Sequence, residues 1–175
     1  QLTKNSAGLL TAYYGDETGA MRDENPQSDY SGYDPRTRPW YQQAKATNTV
    51  ITTEPYIDAT TKKLVITLAK SAQQGVIGGD ITIDKVLETV NALRLPANGF
   101  TILADKNGTT IAYQEQDKQL KPMTAINPQL DGAYLDQLQQ AQGLQELDWH
   151  GTPKLACAVN IPHSSWELVF VLDKE

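Results

Sequence analysis

Cysteine is all but missing from this chain: Cys157 stands alone among 175 residues. One thiol excludes an intrachain disulfide and a thiolate metal cluster. It is compatible with a cytosolic setting, or with a periplasmic one whose core is large enough to need no crosslinks. Positive charge is also scarce. Fifteen Lys and Arg stand against twenty-one Asp and Glu, for a net charge of −6. A protein that holds nucleic acid by neutralising phosphates needs a basic face, so nucleic acid is not the expected partner. No run approaches the roughly 18 apolar residues of a membrane helix, and no charged-then-apolar signal peptide opens the chain. The twelve Gly and nine Pro are ordinary usage and exclude collagen-like or low-complexity structure. Also missing are a Gly-x-Ser-x-Gly elbow, a phosphate-cradling glycine loop and a histidine near a candidate nucleophile. The chain is not expected to be an enzyme.

What is present reads as α+β. Gly8–Tyr14 is a strand and 15–19 a turn, with Ala20–Glu24 pairing back. Asn25–Arg38 has loop composition, with two prolines, two serines and two aspartates. A helix is expected from Pro39 to about Thr47, because proline suits the first helical position. Strands follow at Val50–Asp58, Lys63–Lys70 and Gly75–Ile83, then a helix over Lys85–Leu93 capped by Asp84. The same order then repeats without visible identity. Strands Phe100–Ala104 and Thr109–Gln114 flank the turn Asp105-Lys106-Asn107-Gly108. A loop, a helix from Asp131 to about Gln142 and strands Leu144–Trp149, Pro153–Asn160 and Ser165–Leu172 complete it. Cys157 is expected among buried apolar residues with Leu155 and Val159, and Trp166, Leu168 and Phe170 on the core face of the last strand. His150 and His163 lie in or beside turns, without companions at ligand spacing, and no metal site or cofactor is expected.

The stretch Gly32-Tyr33-Asp34-Pro35-Arg36-Thr37-Arg38-Pro39-Trp40-Tyr41, with Thr53-Glu54-Pro55-Tyr56-Ile57-Asp58 and Gly78-Gly79-Asp80-Ile81-Thr82-Ile83-Asp84, closely resembles the double-Cache sensor domain of bacterial methyl-accepting chemotaxis receptors. The resemblance covers nearly the whole chain, through clear motifs in the first half and through strand order in the second. It implies two PAS-like modules: residues 1–84 as the membrane-distal, ligand-binding one, and residues 85–175 as a linker helix and the membrane-proximal one. It also implies a periplasmic portion of an inner-membrane receptor, homodimeric at full length. The long N-terminal helix and both transmembrane segments would lie outside these 175 residues. One subgroup of the family binds free amino acids, and its recurring set corresponds here to Tyr33, Arg38, Trp40, Tyr56, Asp58 and Asp80.

The chemistry of those residue types agrees with that ligand. An α-amino acid carries a carboxylate and an ammonium on one carbon. Arg38 offers a planar fork for the carboxylate, and the helix entrance at Pro39 and Trp40 offers N–H groups. Asp58 and Asp80, with the hydroxyls of Tyr33 and Tyr56, can surround the ammonium. Two glycines before Asp80 permit close approach of a ligand. Taken singly, each residue also has a plainer role: Arg38 bridging to Asp34 or Asp58, Trp40 as core, Asp80 capping a turn. Asp58 and Asp80 as a catalytic pair would want a carbohydrate cleft or an aspartic-protease signature, and the signature is missing. Two other readings keep the sensor but change its context. The same domain occurs on histidine kinases and cyclic-dinucleotide enzymes, and an amine or small carboxylate is an alternative ligand.

Overall fold

A computed structural model of the chain describes residues 11–24, 27–162 and 164–174, in two units that divide between Lys85 and Val86. Three of the expectations fall on residues outside that description: the start of the first strand at Gly8, Asn25 in the loop, and His163.

In the first unit β1 (Thr11–Asp16) and β2 (Met21–Asp23) form the expected hairpin. The strand expected over Val50–Asp58 is instead two short pieces, β3 (Ile51–Thr52) and β4 (Tyr56–Ile57), both paired to β5 (Leu64–Ala72). Two features account for the break. Pro55 has no N–H to give the ladder, and the Thr53 hydroxyl accepts the Thr67 N–H at 3.0 Å. β6 (Gly75–Thr82) lies between β5 and β1, so the sheet runs β2-β1-β6-β5-β3, antiparallel throughout. α1 (Pro39–Lys45) buries Trp40, Tyr41 and Ala44 while Gln42, Gln43 and Lys45 stay outside. That stripe packs on Tyr13, Ala69 and Val76 of the sheet and forms the core of the unit.

α2 (Ile83–Asn91) begins two residues before its expected start. Its cap is Thr82, whose hydroxyl accepts the Lys85 N–H at 3.2 Å. Asp84 sits in the first turn, where its charge suits the positive end of the helix. In the second unit β7 (Phe100–Asp105), β8 (Thr110–Ala112), α3 (Gly132–Gln140), β9 (Gln145–Trp149), β10 (Thr152–Asn160) and β11 (Trp166–Asp173) make a sheet in the order β8-β7-β11-β10-β9. With β3 and β4 counted as one broken edge strand, the strand order within each unit is the same: second, first, fifth, fourth, third. Asp131 caps α3 through the Tyr134 N–H at 2.9 Å.

The facing of the last two strands differs from expectation. The core takes Val169 and Val171, with Glu167 also buried, rather than Trp166, Leu168 and Phe170 as a set. On β10 it takes Ala156, while Cys157 is only partly buried and Val159 is exposed. A one-residue shift exchanges the two faces of a strand. Both faces here are apolar, so alternation alone does not choose between them.

Candidate functional site

Alternation along β6 sends Val76, Gly78 and Asp80 to the side of the sheet that α1 covers. Tyr13 on β1 lies opposite Gly78, and a Cβ there would stand only 2.4 Å from the Tyr13 ring. The space opened at Gly78 is thus filled by Tyr13, not left for a ligand as the glycine pair had implied. With its ring laid across the strand, Tyr13 donates its hydroxyl to Asp80 Oδ1 at 2.6 Å. Thr67, opposite Asp80 on β5, donates to the same oxygen at 2.6 Å. Having spent its proton there, Thr67 accepts from the Tyr56 hydroxyl.

Asp80 is only 4% exposed, and among the described residues its side-chain hydrogen-bond partners are neutral hydroxyls. Burial raises its pKa above the usual carboxylate range, and the nearby Asp58 charge adds to this while the Thr67 and Tyr13 bonds oppose it. Burial likewise pushes Tyr56 up to about 12 and raises Tyr13 further still. Both phenols therefore keep their protons and serve as donors. Asp80 caps no turn: it sits within a long central strand.

Across from this network, the loop before α1 is held by a local pair. Asp34 accepts the Arg36 N–H at 2.9 Å to cap a single 3₁₀ turn at Pro35–Thr37, and binds the Arg36 guanidinium at 2.7 Å. The aspartate that offered Arg38 a plain ion pair is thereby occupied. Arg38 precedes a proline and is extended, with φ −88° and ψ 143°. Its guanidinium stands 5.3 Å from the centre of the Tyr33 ring. The buried Nε of Arg38 has no hydrogen-bond partner, and among the described residues no carboxylate lies within ion-pairing distance of the guanidinium.

Five of the six residues picked from the sequence, Tyr33, Arg38, Tyr56, Asp58 and Asp80, line one cavity of about 270 Å³. Asp58 enters from the β4–β5 turn, where its Oδ2 accepts the Thr61 N–H and hydroxyl, both at 2.6 Å. Trp40 does not line it. At 1% exposed it packs edge-on to Tyr13, ring centres 5.0 Å apart, and gives its indole N–H to the Tyr33 hydroxyl at 3.3 Å. Nor does the entrance of α1 present a row of donors: Pro39 has no N–H, and those of Tyr41 and Gln42 go to the Arg38 carbonyl. The polar wall is made of side chains. Reading motifs missed Thr11 and Tyr13 on β1, Thr67 on β5, and Asp23, Glu24 and Tyr30 beside the loop. Tyr13 alone carried a signal, since an aromatic residue commonly covers a glycine on the neighbouring strand, but that pairing needs the register.

Among the described residues, the cavity has one guanidinium with an idle buried donor on one wall and a desolvated carboxylate on another. Such a wall suits a small zwitterion, whose two charges answer both.

Residues 2–88 match the family described as methyl-accepting chemotaxis protein-like, first PDC sensor domain. The chain is 29% identical over 174 residues to the methyl-accepting chemotaxis protein McpG of Pseudomonas putida, covering 97% of this chain and 27% of that protein. It thus spans about a quarter of that relative's length. Among solved structures it is similar to the ligand-binding domain of the Pseudomonas fluorescens chemoreceptor CtaA in complex with L-serine. The TM-score is 0.73 and the identity 26%, over 94% of this chain and 73% of that one. The ligand-binding domain of the Pseudomonas aeruginosa PAO1 amino acid chemoreceptor PctB, in complex with L-Arg, gives a TM-score of 0.70 at 25% identity, over 95% and 72%. Through residues 2–88 the chain belongs to the methyl-accepting chemotaxis protein-like first PDC sensor domain family, and its paired antiparallel sheets are the α+β double-module frame of such sensor domains.

Proposed function

We propose that this chain is the extracytoplasmic sensor portion of a bacterial chemoreceptor and that its first unit binds a free α-amino acid without transforming it. The observation that carries this reading is the opposition of Arg38 and Asp80 across one cavity. The ligand carboxylate lies on the Arg38 fork and supplies the acceptor that Nε lacks. The ligand ammonium lies on Asp80 and Asp58, with Tyr33 and Tyr56 closing the shell. A buried carboxylate surrounded only by neutral donors gains most from an arriving cation.

On this reading the full-length protein is anchored in the inner membrane as a homodimer, with the first unit distal and the second proximal. The ligand bridges the loop before α1 to the sheet, and it drives signalling to the extent that it prefers the bridged arrangement over the open one. A calorimetric titration with the common L-amino acids, beside an amine and a dicarboxylate, tests the assignment. Saturable binding of an amino acid is expected, and binding confined to the amine or the dicarboxylate refutes it.

Asp80 gives a sharper result. Asp80→Asn is expected to weaken an L-amino acid by about 1.5–3 kcal/mol, the range for a hydrogen bond to a charged group, and to leave its des-amino analogue nearly unchanged. Equal weakening of both would remove Asp80 as the ammonium partner. The pH dependence follows from the raised pKa of Asp80. In the ligand-free protein, protonated Asp80 favours the folded state. That contribution is fully present below the unfolded pKa and is lost as pH rises through the folded one. The ligand needs the ionised form, so its affinity falls as pH drops through the same value, and Asp80→Asn flattens that fall.

A further inference from the structure

Thr67 is fully buried and does not line the cavity, yet its hydroxyl meets two of the residues assigned to the ammonium. It donates to Asp80 Oδ1 at 2.6 Å and accepts from the Tyr56 hydroxyl at 2.5 Å. Its backbone is pinned at the edge of the sheet. The Thr67 N–H goes to the Thr53 hydroxyl and the Thr67 carbonyl accepts the Thr53 N–H, both at 3.0 Å. Resting on the amino-acid reading above, we propose that Thr67 is a positioning residue of the site, acting through Asp80 and Tyr56 to turn the open oxygen of Asp80 to the ligand ammonium.

A threonine hydroxyl has one proton and two lone pairs. Here the proton goes to Asp80 and a lone pair takes Tyr56, so the group is spent on the site. The branched side chain has few χ1 choices, and the Thr53 bonds fix the backbone beneath it, so the hydroxyl has a set direction. Tyr13 gives Oδ1 its second donor, also at 2.6 Å. Among the described residues Oδ2 takes no hydrogen bond, and Asp80 lines the cavity. Oδ2 is thus the oxygen left for an ammonium. The kind of donor matters as much as its direction. A hydroxyl favours the charged form of a carboxylate without neutralising it, whereas a lysine or arginine in its place would compete with the ligand for the same charge. Burial raises the pKa of Asp80, and the Thr67 bond is the largest effect opposing that rise. The other titratable or charged groups that face Asp80 among the described residues are Tyr13 from β1, Tyr56 from β4, Asp58 from the β4–β5 turn, and Tyr33 and Arg38 from the loop before α1. None of these is altered by a substitution at Thr67.

Valine has nearly the shape of threonine without the hydroxyl, and serine keeps the hydroxyl without the methyl. Calorimetric titration of the 175-residue chain with L-alanine, L-leucine, L-glutamine and L-arginine selects the tightest-bound of them as the probe. Thr67→Val is expected to bind it about tenfold more weakly at neutral pH, the scale of one hydrogen bond to a charged group, while the des-amino analogue of the probe loses little. On acidification its affinity is expected to fall at a higher pH than in the parent. The Asp80 carboxyl, followed by NMR in the ligand-free protein, is expected to titrate higher as well. Thr67→Ser is expected to return the affinity to within about threefold of the parent and both pH midpoints to the parent values. A role in packing alone would move neither midpoint and would spare Thr67→Val more than Thr67→Ser. If Thr67→Val does not fold, Thr67→Cys takes its place, since a thiol is only a weak donor. Parent-like affinity with an unmoved Asp80 midpoint in that variant, or a Thr67→Ser protein as impaired as Thr67→Val, overturns the positioning role and leaves the amino-acid site standing. Silence of the parent toward the whole panel overturns the amino-acid reading and the role of Thr67 with it.

Discussion

Trp40→Ala is expected to lower the unfolding free energy by about 3–5 kcal/mol, the range for truncating a buried large aromatic residue. The indole is 1% exposed and touches ring partners on two sides, Tyr13 at 5.0 Å and Tyr41 at 5.6 Å between centres. α1 is only seven residues long, too short to hold itself in water, so its place on the sheet depends on the stripe that Trp40 anchors. Against a typical total of about 5–15 kcal/mol, this loss removes a large share of the margin. Urea denaturation should show the midpoint falling with little change in slope. A loss under about 1 kcal/mol would contradict the core role. Trp40→Phe separates packing from polarity: it keeps an aromatic anchor and deletes only the indole N–H to Tyr33. Most of the stability should return, and ligand affinity should change by no more than the roughly 0.5–1.5 kcal/mol of one neutral hydrogen bond.

Trp40 also marks where reading the sequence stops. Its place next to Pro39 at a helix start was legible, and so was the company of Tyr33, Arg38, Tyr56, Asp58 and Asp80. Whether an indole two positions into a helix faces a ligand or the core depends on how the helix rolls on the sheet, which local spacing does not encode. The same limit explains the glycines before Asp80. Their small size was plain, but the occupant of the space at Gly78 was decided by the register that sets Tyr13 opposite. Thr67 and Asp23 escaped because a threonine in a strand and an acid beside a loop carry no local mark of burial or shared contact.

Elements bounded by strong punctuation were legible. Pro39 opens α1, Asp131 caps α3, and the turn at residues 105–108 joins β7 to β8. The repeat of element order also carried through, since both sheets share one strand sequence. The facing of β10 and β11 was not legible, because strands apolar on both sides give alternation nothing to separate. Glu167 illustrates the difficulty: it is a charged residue in the buried row, held by Gln139. Polarity alone would have sent it outward.

Arg38→Ala is the second large effect, and it should appear in binding while leaving folding nearly untouched. In the ligand-free protein the guanidinium has no carboxylate within ion-pairing distance among the described residues, and its Nε is buried without a partner. Removing such a group deletes a desolvation cost along with a loose ring contact, so unfolding stability should stay within about 0.5 kcal/mol of the parent, as for substitutions outside the packed core. The ligand carboxylate, by contrast, loses the one cationic contact that the described residues place on the cavity wall. The expected weakening is about 1.5–3 kcal/mol, or roughly ten- to more than a hundredfold in Kd. Thermal unfolding reads both at once. At a ligand concentration about a hundred times the parent Kd, binding contributes about 2.7 kcal/mol to the parent. Most of that increment should vanish in the variant, although its ligand-free Tm is close to the parent value. Arg38→Lys sharpens the result, because a lysine restores the charge without the planar fork and should recover only part of the affinity. Full recovery would reduce the role of Arg38 to charge alone. An Arg38→Ala protein that binds as the parent does would move the ligand carboxylate off Arg38 altogether.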